Sequence, residues 1–133
     1  MSIYELKHRK DKTVDQHLEK ASVELTDFYK RIDIGIRDIC SKIECYSTNR
    51  EIIYRSSINF VYLQVQTNKN RLKLYLRSIN GIMNDPKGLT KTSRPLGSLD
   101  RQLYIAPYEE KIGKFSINDI MFLIRQSYDK AQL

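Results

Sequence analysis

The chain has 133 residues, and its 23 Lys and Arg against 16 Asp and Glu leave a formal charge of +7. That length suits one domain, able to bury roughly two-thirds of its unfolded surface. With 41% hydrophobic and 29% charged residues, 5 Gly, 3 Pro and 2 Cys, the composition excludes collagen-like, disulfide-rich and disordered classes.

The first segment, 1–12, reads as a basic N-terminal arm carrying Lys7, Arg9, Lys10 and Lys12, diluted by Glu5 and Asp11. It contains no apolar run of signal-peptide length, and no window of the chain approaches the roughly 18 apolar residues of a membrane helix. A single α+β domain is expected over 13–133.

Thr13-Val14-Asp15-Gln16 has the form of a capping box, with Thr13 as N-cap and Gln16 three residues on. Apolar residues follow at Leu18, Ala21, Leu25, Phe28, Ile32, Ile36, Ile39 and Ile43. Steps of three and four predict a helix. Unbroken over 13–43 it would be about 46 Å long at 1.5 Å per residue, against a radius of gyration of about 14 Å for the whole domain. It must overhang or break, and Gly35 beside Asp33 is the expected break. Cys40 and Cys45 fall near its end. A disulfide between them would close a tiny loop, so two free thiols in a reducing cytoplasm are expected. His8 and His17 lie too far upstream to complete a zinc site with them.

The period then changes to two. Phe60-Val61-Tyr62-Leu63-Gln64-Val65-Gln66 and Arg71-Leu72-Lys73-Leu74-Tyr75-Leu76-Arg77 both alternate, as half-buried antiparallel strands do. A four-residue loop, Thr67–Asn70, sets Val65 opposite Leu72, Leu63 opposite Leu74 and Val61 opposite Leu76. A three-residue loop would set Val65 against Lys73, which mixes the faces. Glu51-Ile52-Ile53-Tyr54-Arg55 is expected to pair beside them.

Asn84-Asp85-Pro86-Lys87-Gly88 is a turn, and 88–103 reads as a long polar loop. A last strand is expected over Tyr108–Phe115, before a C-terminal helix capped by Ser116 with Asp119 in its first turn. The predicted architecture is an antiparallel sheet of about four strands packed against a long N-terminal helix and a C-terminal helix.

Charge is concentrated. Residues 1–45 and 109–133 are each neutral by count, whereas 46–108 hold ten Lys and Arg against Glu51, Asp85 and Asp100. The register places Arg71, Lys73, Tyr75 and Arg77 on the outer sheet face beside Gln66, Gln64, Tyr62 and Phe60. Cations interleaved with aromatic rings suit nucleic acid, charge for phosphates and rings for stacking. The same pattern also serves a merely solvated sheet face. On the first reading Arg71, Lys73 and Arg77 contact phosphates, Tyr62 and Tyr75 stack, and Lys87, Lys91 and Arg94 extend the patch.

Other chemistries find little support. Asp85-Pro86-Lys87 echoes a nuclease motif but sits in a turn, and the central strands carry no carboxylate. No phosphate-binding glycine loop occurs, so neither cofactor nor metal is expected. The remaining tyrosines, Tyr104 and Tyr108 among them, read as core-edge residues with a wet hydroxyl. The long helical stripe offers a second reading, a homodimer or partner protein docked through the N-terminal helix.

Several segments together resemble a known family: Ile53-Tyr54-Arg55, Asn59-Phe60-Val61, Arg71–Leu76, Asp85-Pro86-Lys87-Gly88-Leu89 and Asp119–Tyr128. The Asp-Pro-x-Gly turn and the Leu-Ile-x-Gln-Ser-Tyr ending are the specific parts. They resemble a prokaryotic domain family of uncharacterised function, often labelled "predicted transport protein", over about residues 13–131. The family occurs as small standalone proteins and as a C-terminal appendage of restriction-endonuclease-like and other defence proteins. The ending is also similar to that of MmcQ/YjbR-like proteins, whose double-wing fold is linked to DNA binding. The resemblance implies a defence or DNA-processing setting; joined to the charge pattern, it gives the expectation of a non-catalytic nucleic-acid-binding accessory domain. After Leu89 the sequence departs from the family, with Thr90–Leu99 in place of a stretch containing His and Trp.

Overall fold

A computed structural model describes residues 11–96 and 98–132. Most of the expected basic arm, including Lys7, Arg9 and Lys10, lies outside the described residues. The fold is α+β, as expected, with an antiparallel sheet and helices against it. The elements are α1 (Val14–Leu18), α2 (Val23–Ile39), β1 (Glu44–Ser47), β2 (Ile52–Arg55), β3 (Asn59–Gln66), β4 (Arg71–Leu76), β5 (Lys91–Leu96), β6 (Leu99–Ile105), α3 (Pro107–Lys111) and α4 (Ile117–Lys130). Six strands, not about four, form one sheet in the order β1-β2-β3-β4-β6-β5.

The expected long helix is broken, but not at Gly35. Thr13 and Gln16 form the capping box of α1, a helix of one turn, and Ser22 caps α2 afresh by accepting from the Leu25 amide. Three turns later Gly35 stays helical because α4 crosses it closely. A Cβ there would stand 2.7 Å from Met121 Sδ, so the missing side chain makes room for a neighbour.

The core lies between the helices and one sheet face. Leu25, Phe28, Tyr29, Ile32 and Ile36 of α2 and Ile120, Leu123 and Ile124 of α4 meet Val61, Leu63, Leu72, Leu74, Leu76, Leu103 and Ile105. The β3–β4 register is the expected one, with Val65 opposite Leu72, Leu63 opposite Leu74 and Val61 opposite Leu76. Thr67–Lys69 form a single 3₁₀ turn, and Asn70 closes the loop at φ 48°. Asparagine tolerates that left-handed conformation better than most side chains.

Two other expectations are corrected. Residues 88–103 are not a loop: they supply β5 and most of β6. Arg101 interrupts the apolar alternation of Leu99, Leu103 and Ile105, and β5 is a polar edge strand in which Pro95 is tolerated. Residues 108–115 are not a strand: Pro107 opens α3, and the Glu109 carboxylate accepts from the Ala106 amide. Proline at the first position and acids in the first turn are helix-start signals.

A network running from the core to the surface ties α2 to the sheet. The Tyr29 and Tyr54 hydroxyls share a 2.9 Å hydrogen bond, Tyr54 donates to Asp33, and Arg37 donates to both Asp33 oxygens. Burial raises both tyrosine pKa values well above the ordinary phenol range. Cys40 and Cys45 are free thiols, at the end of α2 and in β1.

The apolar stripe of α2 is consumed by this packing. Leu25, Phe28, Ile32 and Ile36 face the domain's own core, so the stripe expected to dock a partner helix is already covered.

Candidate nucleic-acid interface

The sheet has one face without a helix. Its covered face carries completely buried leucines, whereas Tyr62, Gln64, Lys73, Tyr75 and Gln102 on the other are half-exposed. Among the described residues no helix packs over them. Strand pairing brings this face together in rows: Tyr62 beside Tyr75, Tyr75 beside Gln102 and Gln102 beside Lys91, then Gln64 beside Lys73 and Lys73 beside Tyr104.

The cations and rings form a stack. The Arg71 guanidinium lies 4.0 Å from the Tyr104 ring centre, and Arg71 Nε donates to Gln66 Oε1 at 2.7 Å. Lys73 Nζ lies between two rings, 4.7 Å from Tyr75 and 5.2 Å from Tyr104. Such contacts hold a cation in place for about 0.5–1 kcal/mol each at an exposed site. Partial burial lowers the Lys73 pKa, but Tyr75 and Tyr104 raise it by more, and the ammonium stays charged. Acids reach only the margins of the face. Glu51 accepts from Gln64, and Asp100 accepts from the Ser78 amide and hydroxyl.

The ten cations of 46–108 are therefore nearly unneutralised. Of these ten, all within the described residues, only Lys87 forms a salt bridge, 2.7 Å to Asp119. That bond also removes Lys87 from the expected patch, because it ties the lysine to the first turn of α4 on the covered side.

The other expected site residues divide. Arg71, Lys73, Tyr62 and Tyr75 lie together on the open face. Lys91 joins them through its pairing with Gln102. Arg94 is exposed further along the edge strand, where the register with β6 shifts. Arg77 stands past the end of β4, and its Nε donates to the Asn59 carbonyl. Burial lowers its pKa, though a guanidinium remains charged. Phe60, expected on the outer face, is fully buried and meets the Tyr128 ring edge-on at 5.4 Å. The register of β2 against β3 shifts beside it, between Tyr54 and Arg55, and a bulge breaks the alternation of faces.

Ser127 completes that end of the sheet. Its hydroxyl accepts from the Arg77 amide and donates to the Phe60 carbonyl, filling the rung beyond the Val61–Leu76 pair. Ser127→Ala leaves both backbone groups without this partner and should cost about 1–3 kcal/mol in urea unfolding. An unchanged midpoint would refute the role.

Asp85 serves its own turn. Its carboxylate accepts from the Leu89 and Thr90 amides and the Thr90 hydroxyl, while Arg101 donates to the same hydroxyl. Both oxygens are thus engaged, and among the described residues no three His, Cys, Asp or Glu side chains gather as a metal site. Burial raises the Asp85 pKa, but those hydrogen bonds lower it by more, leaving it below the usual 3.8. A depressed folded-state pKa stabilises above the unfolded value and is lost as pH falls through the folded one. Asp85→Asn should therefore flatten the loss of stability below about pH 4, read as urea midpoints; an acid limb as steep as the parent's would sink this assignment.

The two specific motifs of the sequence meet here. Gln126 accepts from the Asn84 amide and donates to the Asn84 carbonyl at 2.8 and 2.7 Å, directly before the Asp85-Pro86-Lys87-Gly88 turn. Gln126, Ser127 and Tyr128 thus act as structural residues on the side away from the open face.

Sequence reasoning missed Tyr104 and Gln102. Tyr104 and Gln102 enter the face only through β6. The alternation of Leu103 and Ile105 with Gln102 and Tyr104 was the signal, hidden by Arg101. At this end of the face Arg71, Lys91 and Tyr104 also border a recess of about 330 Å³. Comparison of the chain with protein-family models, curated proteins and solved structures finds no match. No described helix is long and apolar enough to cross a membrane.

Proposed function

We propose that this chain is a non-catalytic nucleic-acid-binding module that uses its open sheet face. The carrying observation is the array of Arg71, Lys73, Tyr75, Tyr104 and Tyr62 on a helix-free face, its cations held against rings rather than against carboxylates. A cation neutralised by an acid has little left for a phosphate, whereas one resting on an aromatic ring keeps its full charge. The rings add flat apolar surface on which exposed bases stack, worth about 1–3 kcal/mol per base. Arg71, Lys73 and Lys91 meet phosphates in this reading; Tyr62, Tyr75 and Tyr104 supply the stacking surface.

A defence or DNA-processing setting is supported by the resemblance of the Asp85-Pro86-Lys87-Gly88 turn and the Leu123–Tyr128 segment to the prokaryotic domain family. The test is a fluorescence titration with single-stranded and duplex DNA across salt. A contact with n phosphates gives a log–log slope near −0.7n on single strands and −0.9n on duplex. Absence of binding to either at about 50 mM salt would end the proposal.

A further inference from the structure

The recess at the β6 end of the open face has a different character from the face itself. Leu103 and Phe115, both buried, lie at its floor, while Lys69, Arg71, Lys91 and Lys114 surround it. Tyr104 and Tyr108 line it as well, Tyr108 with 60% of its surface exposed. Its single carboxylate, Glu109, is already taken by Lys114 Nζ at 2.5 Å and by the Ala106 amide at 3.0 Å. Net positive charge around an apolar floor suits a ligand that carries a flat apolar part and an anion.

The volume limits the ligand further. About 330 Å³ stands at the small end of small-molecule sites, room for one nucleotide rather than a run of bases. The recess is also continuous with the face, because Arg71, Lys91, Gln102 and Tyr104 belong to both.

We infer that the recess takes the terminal, phosphorylated nucleotide of a single strand lying on the face. This rests on the nucleic-acid reading of that face. The base would lie over Leu103 and Phe115 beside the tyrosines, and the terminal phosphate would meet Lys69 and Lys91, neither of which is paired with an acid. A single strand is required because its bases are free to leave a stack, whereas a duplex hides their flat surfaces.

The discriminating ligands are a linear thymidine 12-mer phosphorylated at both ends, the same 12-mer without terminal phosphates, its covalently closed circle, and thymidine monophosphate alone. The expected order is phosphorylated linear tightest, about tenfold above the circle, with the unphosphorylated strand between. Lys69→Ala should bring the phosphorylated strand down to the level of the circle and leave the circle unchanged. Lys69 is exposed, so its loss costs little stability, and circular dichroism checks the fold. Equal affinity for circle and linear strand would overturn the recess while leaving the face intact. Tight binding of the monophosphate with none of the strands would overturn the strand end as its source. Failure of every ligand would remove the face reading and this inference together.

Discussion

Alanine at both Arg71 and Lys73 is expected to weaken single-strand binding by about 25-fold at 0.1 M salt and to make the salt slope shallower by about 1.4. The slope change follows from two phosphates no longer neutralised, at about 0.7 each, and the factor is that exponent applied at 0.1 M against a 1 M reference. The comparison protein is Arg125→Ala with Lys130→Ala. Both residues are exposed on α4, on the covered side of the sheet, and their removal changes net charge equally. Its affinity should stay within about twofold of the parent, because charges beyond a Debye length of about 10 Å are largely screened. Equal weakening in the two double variants would mean that net charge alone attracts DNA, and the open face would lose its role. Lys87→Ala, whose ammonium is held by Asp119, should behave like the comparison protein.

Leu25→Asp is expected to unfold the domain. Leu25 is 0% exposed at the start of α2, packed in the core. A carboxylate there has no cationic partner, and burying an unpaired charge costs several kcal/mol against a total stability of about 5–15 kcal/mol. On the same helix, Ile34 is 59% exposed, and Ile34→Asp should stay within about 0.5 kcal/mol of the parent. Circular dichroism and urea unfolding separate the two. A Leu25→Asp protein that kept its fold and lost only a dimer would show that the stripe faces a partner rather than the domain's own core.

The register of the strands around the Thr67–Asn70 loop was legible in the sequence, except at the far end, where Phe60 turns inward and Arg77 lies past β4. A period of two with one buried face leaves a single register, since a slip by one residue would bury Lys73. The capping box at Thr13 and the N-cap at Ser116 were legible for a similar reason, because a cap is a contact between residues three apart. Concentration of the charge in 46–108 needed only counting.

What the sequence could not decide were contacts between distant segments. The helical stripe runs through 13–43 without a gap, yet the chain breaks after Leu18 and continues through Gly35. Only the crossing of Met121 gives that glycine its purpose. β5 and β6 carry too little alternation to be seen alone; β6 becomes a strand by pairing with β4, about thirty residues away, and β5 by pairing with β6. That pairing brings Tyr104 between Arg71 and Lys73, and ion pairing with Asp119 takes Lys87 away. Local spacing determined which residues share a face of one strand; long-range pairing determined which faces meet, because hydrogen-bond ladders and salt bridges join groups that no local pattern connects.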